Sequence, residues 1–253
     1  MRSRERLDGR AGDAQVTAGS PEDAMCARFT LKTGAAELID AFELAESPDE
    51  LEPRYNVAPS QRVAVVPNLP GPRSVKLARW GLIPSWARDP KIAQKLVNAR
   101  SETVAEKPSF RDALRFRRCL VLADGFYEWR KHGGGKMPMY IRLRGGEPFA
   151  MAGLWETWRD PKAPVQDALV HTCTLLTTTP NALMAPIHNR MPVILPREAW
   201  TTWLQPRDPG AEELLPLLQP YPAEAMRAVE VSPWVNSVRN DAPRCVEPVL
   251  KLL

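Results

Sequence analysis

Four short segments of the chain place reactive side chains beside proline, glycine or aromatic residues. Three of these side chains could carry chemistry: the thiol of Cys26, the carboxyl of Glu128 and the imidazole of His188. A carboxyl in an aromatic setting suits proton transfer, and a cysteine that shares a pocket with a histidine and an asparagine can in principle carry out acyl transfer. The segments are MCARF at 25–29, RWGLIPSWA at 79–87 with NARSET at 98–103, ADGFYEW at 123–129, and TTTPNALMAPIHNRMPVIL at 177–195.

Each of the three side chains also has an ordinary structural interpretation. Cys26 can be a small buried hydrophobe, Glu128 an amphipathic surface glutamate, and His188 a hydrogen-bonded structural histidine, which is the commoner case. All three lie at the ends of apparent strands, where sites usually assemble. Taken singly, the residues leave both interpretations open.

The elements that must position these residues are short. Pro- and Gly-rich connections separate them, without regular βαβ alternation, which favours an α+β domain around a curved antiparallel or mixed sheet. We predict helices at 35–42, 108–116, 196–204 and 211–218. We predict strands at 29–32, 62–67, 75–80, 118–123, 138–143, 149–155 and 169–178.

Composition excludes several classes of protein. The 253 residues are 44% apolar and 25% charged, which is typical of a globular protein. No run of 18 apolar residues exists, so a membrane-spanning helix is excluded. The four cysteines form no CxxC pair, which argues against a zinc finger and against a dense disulfide framework; they are Cys26, Cys119, Cys173 and Cys245.

The net charge of +4 permits a nucleic-acid partner without demonstrating one. Positive charge is concentrated between Lys91 and Arg118, a window that contains eight basic residues and three acidic ones. This window is either a solvated helix face, as charge runs usually are, or an edge that contacts phosphates. In the second case Trp80 and Trp86 would offer stacking surfaces for unpaired bases, although each could equally pack in the core.

Residues 1–24 differ in composition from the rest of the chain. They contain four arginines, five acidic residues and no apolar stretch, so they are not a secretory signal peptide. A segment this polar buries too little apolar surface to offset its ordering entropy, and we predict a disordered extension. The domain is expected to span 25–253.

Six motifs in order resemble those of one family. MC-x-RF, YNVAPSQ (55–61), RWGLIPSW, NARSET, ADGFYEW and IHNRMPV are similar to the motifs of the SRAP family, the SOS response-associated peptidases, from Met25 to about Val249. The resemblance implies a single SRAP-type domain with a barrel-like β core and short flanking helices. It also implies a sensor of abasic sites in single-stranded DNA, needing no metal or cofactor, monomeric, without membrane association, and cytoplasmic or on the nucleoid.

Carried over position by position, the resemblance assigns roles to four catalytic residues. Cys26 would form a covalent thiazolidine crosslink with the ring-opened deoxyribose. Glu128 would be the general acid and base, His188 the proton shuttle, and Asn98 would orient the sugar or the terminal amine. Four further positions match residues that lie against DNA in the family: Arg28, Trp86, Arg100 and Arg190.

The crosslink needs an N-terminal cysteine. Its α-amine, with a reference pKa near 7.7–8.0, attacks the aldehyde to give a Schiff base, and the thiol of the same residue then closes a five-membered ring. As the sequence stands, 25 residues precede Cys26, so its nitrogen is an amide. Either translation begins at Met25 and the methionine is trimmed, which we favour, or the protein removes its own leader, with Cys26 as nucleophile assisted by Glu128 or His188.

Two positions depart from the family pattern. Ala27 replaces a usual glycine, at an expected cost on the order of 1 kcal/mol if that glycine has a positive φ or closely approaches DNA. Asn189 replaces an aspartate and removes carboxylate support beside His188.

Two other functions remain open: a cysteine peptidase that acts on itself or on other chains, and a non-enzymatic reader of modified bases in duplex DNA.

Overall fold

A computed structural model describes residues 27–46 and 51–249, so the predictions for residues 1–24 and for Cys26 lie outside the described residues. The described chain is built mainly of strands, numbered here in chain order. They are β1 Phe29–Leu31, β2 Arg54–Val57, β3 Arg62–Pro67, β4 Lys76–Trp80, β5 Asn98–Arg100, β6 Arg118–Ala123, β7 Gly125–His132, β8 Gly135–Leu143, β9 Phe149–Arg159, β10 Leu169–Thr178, β11 Met191–Pro192, β12 Ile194–Leu195 and β13 Met226–Glu230.

Five of these strands close into a barrel. The pairing runs β4–β3–β6–β9 and returns through β10, which pairs with β9 on one side and with β4 on the other. Only the β10–β4 pairing within this ring is parallel. The expected α+β fold with a curved, barrel-like mixed β core is therefore confirmed.

Strand β6 lies at the centre of the barrel wall and is buried on both faces. Alternate residues Leu120 and Leu122 pack in the cluster that includes the helices. Cys119 and Val121 pack in the cluster that includes the second sheet. Because neither face meets water, the strand reads in sequence as a continuous apolar run rather than an alternating one.

The second sheet has the strand order β13–β8–β7–β1–β2. The chain passes from the barrel into this sheet at one residue, Asp124, which lies between β6 and β7. The next residue has to be glycine, because a Cβ on Gly125 would lie 2.2 Å from the hydroxyl oxygen of Tyr140. Strands β7 and β8 then form a hairpin whose turn is Gly133–Gly134.

Helices are short and lie against the barrel. They are α1 Ala35–Phe42, α2 Arg111–Phe116, α3 Trp200–Trp203 and α4 Ala211–Leu214. Leu38 and Phe42 of α1, and Trp200 and Trp203 of α3, join the same apolar cluster. Within the part of the chain that is described, no helix is long and apolar enough to cross a membrane.

The predicted elements are found, with differences at their ends. The bounds predicted for α1, β3, β6 and β10 are those observed, whereas helix α2 begins three residues later than predicted. The regions predicted as helices at 196–204 and 211–218 each consist of a short α-helix joined to a 3₁₀ turn. Strands absent from the prediction are β2, β5, β7, β11, β12 and β13.

Asp124 is expected to carry much of the stability of the junction between the two sheets. Its buried carboxylate accepts hydrogen bonds from the Thr30 hydroxyl, the Lys32 N–H and both the N–H and hydroxyl of Thr33. In D124N, an amide would direct its own N–H groups at these donors. We predict a loss of about 1–3 kcal/mol in the free energy of unfolding for each donor left without an acceptor, measured with urea.

Lys32→Gln is the matched control for that measurement. The ammonium of Lys32 lies 3.6 Å from the Asp124 carboxylate, but its side chain is 32% exposed. Such a pair contributes about 0–1 kcal/mol. Equal destabilisation by the two substitutions would show that the ion pair, rather than the hydrogen bonds to the backbone and hydroxyls, holds the junction.

Candidate active site

Two cavities meet at Ala27, the first described residue. One, of about 630 Å³, is lined by Glu128 and His188. The other, of about 550 Å³, is lined by Asn98. Ala27 lines both, so the three described candidates for catalysis surround the residue that follows Cys26 in the chain. Among the described residues, no three His, Cys, Asp or Glu side chains form a cluster that could hold a metal ion.

Pairing between β1 and β7 brings Ala27 beside Glu128. Phe29 pairs with Phe126, and the N–H of Tyr127 donates to the carbonyl of Arg28 at 2.9 Å. Antiparallel register continued by one residue sets Ala27 opposite Glu128. The end of the SRAP-like motif MC-x-RF, at Arg28 and Phe29, and the acidic motif ADGFYEW are thus neighbours on one sheet.

Glu128 is a buried carboxyl, only 2% exposed. Side chains alternate along β7, so Glu128 shares a face with Phe126, which packs in the cluster between the sheet and the barrel. Tyr127 points to the other face and packs on Tyr140. The interpretation of Glu128 as an amphipathic surface residue is wrong, since the strand buries it within the cavity wall.

His188 is held beside Glu128 by the turn between β10 and β11. Asn181 begins this turn, with its side-chain oxygen accepting from the N–H of Met184 at 2.9 Å. Met184 is fully buried, and its carbonyl accepts from the N–H of His188 at 2.9 Å. This anchorage leaves Nδ1 of His188 3.9 Å from Oε1 of Glu128.

The environment of His188 favours its neutral form. Burial lowers the pKa of His188 below its ordinary value, and the positive charges of Lys136 and Arg190 lower it further, against the opposing effect of the Arg190 carbonyl. The backbone N–H of Arg190 lies 3.2 Å from Nδ1. The carbonyl oxygen of Arg190 lies 3.3 Å from the same nitrogen, so Nδ1 accepts from the N–H in one neutral tautomer and donates to the carbonyl in the other.

Asn98 is positioned by the parallel pairing of β5 with β10, in which it lies opposite Leu175. The preceding carbonyl, of Val97, accepts hydrogen bonds from the Trp80 indole N–H, the Thr174 hydroxyl and the Leu175 N–H. Three donors on one carbonyl fix the backbone immediately before Asn98. The amide side chain is therefore presented to the second cavity from a rigid strand.

Two of the predicted DNA-binding arginines are engaged within the protein. Arg190 is 8% exposed and donates to both carboxylate oxygens of Glu102, at 2.5 and 2.9 Å, and to the carbonyl of Thr177. Arg28 donates to Oδ1 of Asn56 and to two backbone carbonyls. Contact between these guanidinium groups and DNA stays a prediction.

The other two predicted DNA residues are open to solvent. Trp86 is 58% exposed, and Arg100 at the end of β5 is exposed. Trp80 differs from Trp86, because it is 1% exposed and packs against Phe29 with ring centroids 5.2 Å apart. Of the two tryptophans considered as stacking surfaces, Trp86 alone has an accessible ring.

The basic window between Lys91 and Arg118 divides into two parts. At its end, Arg115 pairs with Asp208, Arg117 pairs with Glu156, and the buried Arg118 donates to five backbone carbonyls. Towards its beginning, Lys95 lines the cavity with Asn98. Most of the arginines in the window therefore serve the fold, and its charge excess overstates the phosphate-contacting surface.

Several residues of the cavity with Glu128 were not predicted. They come from the β7–β8 hairpin, the His188 turn and a C-terminal segment that packs on β2. Strand β7 of the hairpin was not predicted, because the Asp124-Gly125 pair at its start is typical of a turn. The unpredicted residues are Trp129, Lys131, Lys136, Pro186 and Asn236.

The lowered pKa of His188 predicts a pH effect on stability. A folded-state pKa below the unfolded value means that the unfolded chain binds the proton first, so His188 destabilises the fold as pH falls below about 6.5. Urea unfolding of wild type and H188Q from pH 7.5 to 5.0 should show wild type losing more stability. An NMR titration, assigned by H188Q among the three histidines, should place the His188 midpoint below 6.5; a midpoint above it would contradict the geometry.

The chain is similar in sequence to proteins named abasic site processing proteins. The chain is 45% identical over 226 residues to the abasic site processing protein YoqW of Bacillus subtilis, covering 88% of this chain and 99% of the relative. It is 38% identical over 194 residues to the abasic site processing protein HMCES of Gallus gallus, covering 68% and 56% respectively.

A solved structure and a family model also match this chain. A crystal structure of a Bacteroides thetaiotaomicron protein superposes with a TM-score of 0.79 at 29% identity, covering 89% of this chain and 100% of that one. Residues 25–238 match the family described as SOS response associated peptidase. The chain belongs to the SRAP family.

Proposed function

We propose that this protein is an abasic site processing protein that acts on single-stranded DNA and forms a covalent crosslink with the lesion. Family membership and the names of its relatives support the function. One observation supports the proposed site: Ala27, which is bonded to Cys26, lines both the cavity of Glu128 and His188 and the cavity of Asn98. A substrate joined to residue 26 would meet all three side chains.

The proposed reaction uses both the amine and the thiol of one cysteine, and water is its only by-product. The α-amine of Cys26 adds to the C1′ aldehyde of the ring-opened deoxyribose, and loss of water gives an imine. The Cys26 thiolate then adds to the imine carbon while the imine nitrogen takes a proton. The product is a thiazolidine, in which carbon, nitrogen and sulfur belong to one five-membered ring. No oxidant or metal is consumed.

Glu128 and His188 divide the proton transfers. Opening the sugar ring needs a proton on the ring oxygen, and loss of water from the carbinolamine needs a proton on the hydroxyl. We assign both donations to Glu128, which regains its proton from the anomeric hydroxyl as the ring opens, because its carboxyl lies in the cavity wall opposite Ala27. His188, 3.9 Å away and neutral near pH 7, accepts the proton that the amine releases. Asn98 orients the sugar from the second cavity.

The DNA strand is held without reading of its sequence. We propose that the exposed ring of Trp86 stacks on a base and that Arg100 contacts a phosphate. Arg28 and Arg190 add positive charge at the cavity while donating inside the protein. Contacts with phosphate and base faces suit a protein that must act wherever a base is missing.

Crosslinking requires a free amine at Cys26, so we propose that the active chain begins there. The match to the family starts at Met25, which favours translation from Met25 followed by removal of that methionine. A second candidate activity is peptide cleavage by the protein itself, before Cys26. The family description as a peptidase, and the histidine, carboxyl and amide around Ala27, favour testing it.

Substitution of Cys26 and Glu128 tests the mechanism. With single-stranded abasic DNA and protein that begins at Cys26, C26A is expected to abolish the heat-stable, slower-migrating band in a denaturing gel. E128Q should slow formation of the band by about 10²-fold or more, the usual contribution of a general acid and base. Glu106→Gln, at an exposed glutamate outside both cavities, is the matched control and should crosslink at the wild-type rate.

Unchanged crosslinking by C26A would refute the thiazolidine mechanism. C26S adds a finer test, because it keeps the α-amine and removes the thiol. We expect borohydride to trap its imine with DNA, while the heat-stable band without reductant is lost. Failure of borohydride to trap C26S would show that the amine of residue 26 does not attack the sugar.

Intact mass measurement tests the proposed start of the chain. Protein expressed from Met1 should crosslink only in the fraction whose mass corresponds to a start at Cys26. If E128Q or H188Q retains the leader that wild type loses, cleavage is by the protein itself. A crosslinked species that keeps residues 1–25 would overturn the proposal, since its Cys26 nitrogen is an amide.

A further inference from the structure

The β7–β8 hairpin brings two lysines together. Gly133 and Gly134 have φ of 53° and 79°, as a two-residue type I′ turn requires, and this turn fixes the register of the strands. His132 therefore pairs with Gly135, and Lys131 pairs with Lys136. Side chains directly opposite in an antiparallel pair have Cβ atoms about 4.5–5.5 Å apart and point to the same face.

This lysine pair belongs to the cavity that contains Glu128 and His188. Both Lys131 and Lys136 line that cavity although both side chains are exposed. The charge of Lys136 also acts on His188, since it contributes to lowering the pKa of the imidazole. The two ammonium groups thus stand at the mouth of the cavity, within electrostatic reach of the site.

The arrangement is unfavourable for the protein alone. Like charges directly opposite on a hairpin repel each other. Within residues 27–46 and 51–249, neither lysine forms an ion pair with a carboxylate; the pairs found there involve other cations. An anion between the ammonium groups would convert this repulsion into attraction to a shared ligand.

The same face of the hairpin has other features suited to a nucleic-acid backbone. Trp129 precedes Lys131 by two residues, so the two side chains share a face. The Trp129 ring has the guanidinium of Arg28 5.7 Å from its centroid, and its indole N–H donates to Asn236. Arg28, Lys131 and Lys136 therefore place three cations around this cavity.

The two cavities have cations in their walls on both sides of Ala27. The Asn98 cavity is lined by Arg79 and Lys95 on one side of Ala27, and the other cavity by Lys131 and Lys136 on the other side. A strand whose reacting sugar sits at residue 26 would pass from one set of cations to the other. The lysine pair lies where such a strand leaves the Glu128 cavity.

We propose that Lys131 and Lys136 together bind a backbone phosphate of the DNA strand as it leaves the cavity along the β7–β8 hairpin. The inference rests on the proposed function and adds a phosphate site to it. The two ammonium groups hold the strand on one side of the lesion, so that the sugar stays at residue 26 during the slower covalent steps. They do not touch the reacting atoms.

Salt dependence tests this site. Binding is measured with single-stranded DNA carrying a tetrahydrofuran abasic analogue, which cannot open or crosslink. For K131Q/K136Q we expect the slope of log K against log salt to fall by about 0.7, the contribution of one phosphate contact in a single strand. Affinity at 0.1 M salt should fall by about fivefold.

The matched control is K76Q/K162Q, which removes two exposed lysines that line neither cavity. Its salt slope and affinity are expected to equal those of wild type. An unchanged slope in K131Q/K136Q, or an equal change in the control, would overturn the phosphate site. Failure of the wild type itself to crosslink abasic DNA would instead refute the proposed function, so the two failures are distinguishable.

Truncated oligonucleotides locate the contact. Two abasic strands are compared, one with nucleotides only on the 5′ side of the lesion and one with nucleotides only on the 3′ side. The effect of K131Q/K136Q should persist with one strand and vanish with the other, which identifies the side held by the hairpin. An effect of the same size with both strands would overturn a contact to a phosphate on the exit path.

Discussion

The site depends on the junction that Asp124 holds between the barrel and the second sheet. Its buried carboxylate binds the hydroxyl of Thr30 and the backbone of Lys32 and Thr33, so the end of β6 is fixed to the end of β1. From that point β7 runs antiparallel to β1. The register that follows is what brings the residue after Cys26 to Glu128, and the carboxyl group proposed for catalysis lies four positions after the structural one.

The same rigidity sets the electrostatics of the cavity. Glu128 is buried, and the adjacent imidazole of His188 has its pKa lowered by burial and by nearby cations. The imidazole is therefore neutral near pH 7 beside a buried carboxyl. Arg190 holds the imidazole in place, because its backbone contacts Nδ1 of His188 while its guanidinium donates to Glu102. A carboxylate outside the cavity thus steadies a histidine inside it.

Sequence patterns predicted the barrel strands because these strands are apolar and bounded by turn residues, as β6 and β10 show. They did not predict β7, whose first half is aromatic and buried and whose second half is charged and exposed. The motifs did identify Glu128, His188 and Asn98, which meet around Ala27. Distances between them follow from pairings over 60 or more residues, such as β1 with β7, and no local pattern contains that information.

Local charge was the least informative pattern, for a physical reason. A count of arginines does not tell which guanidinium groups are used by the fold, and Arg115, Arg117 and Arg118 are all used in this way. Net attraction for a phosphate comes from cations that have no carboxylate partner. In the described cavities these include Lys131 and Lys136, which are exposed on a short hairpin. A hairpin register can bring two such charges together without a charge run in the sequence, and this placement favours an anion between them.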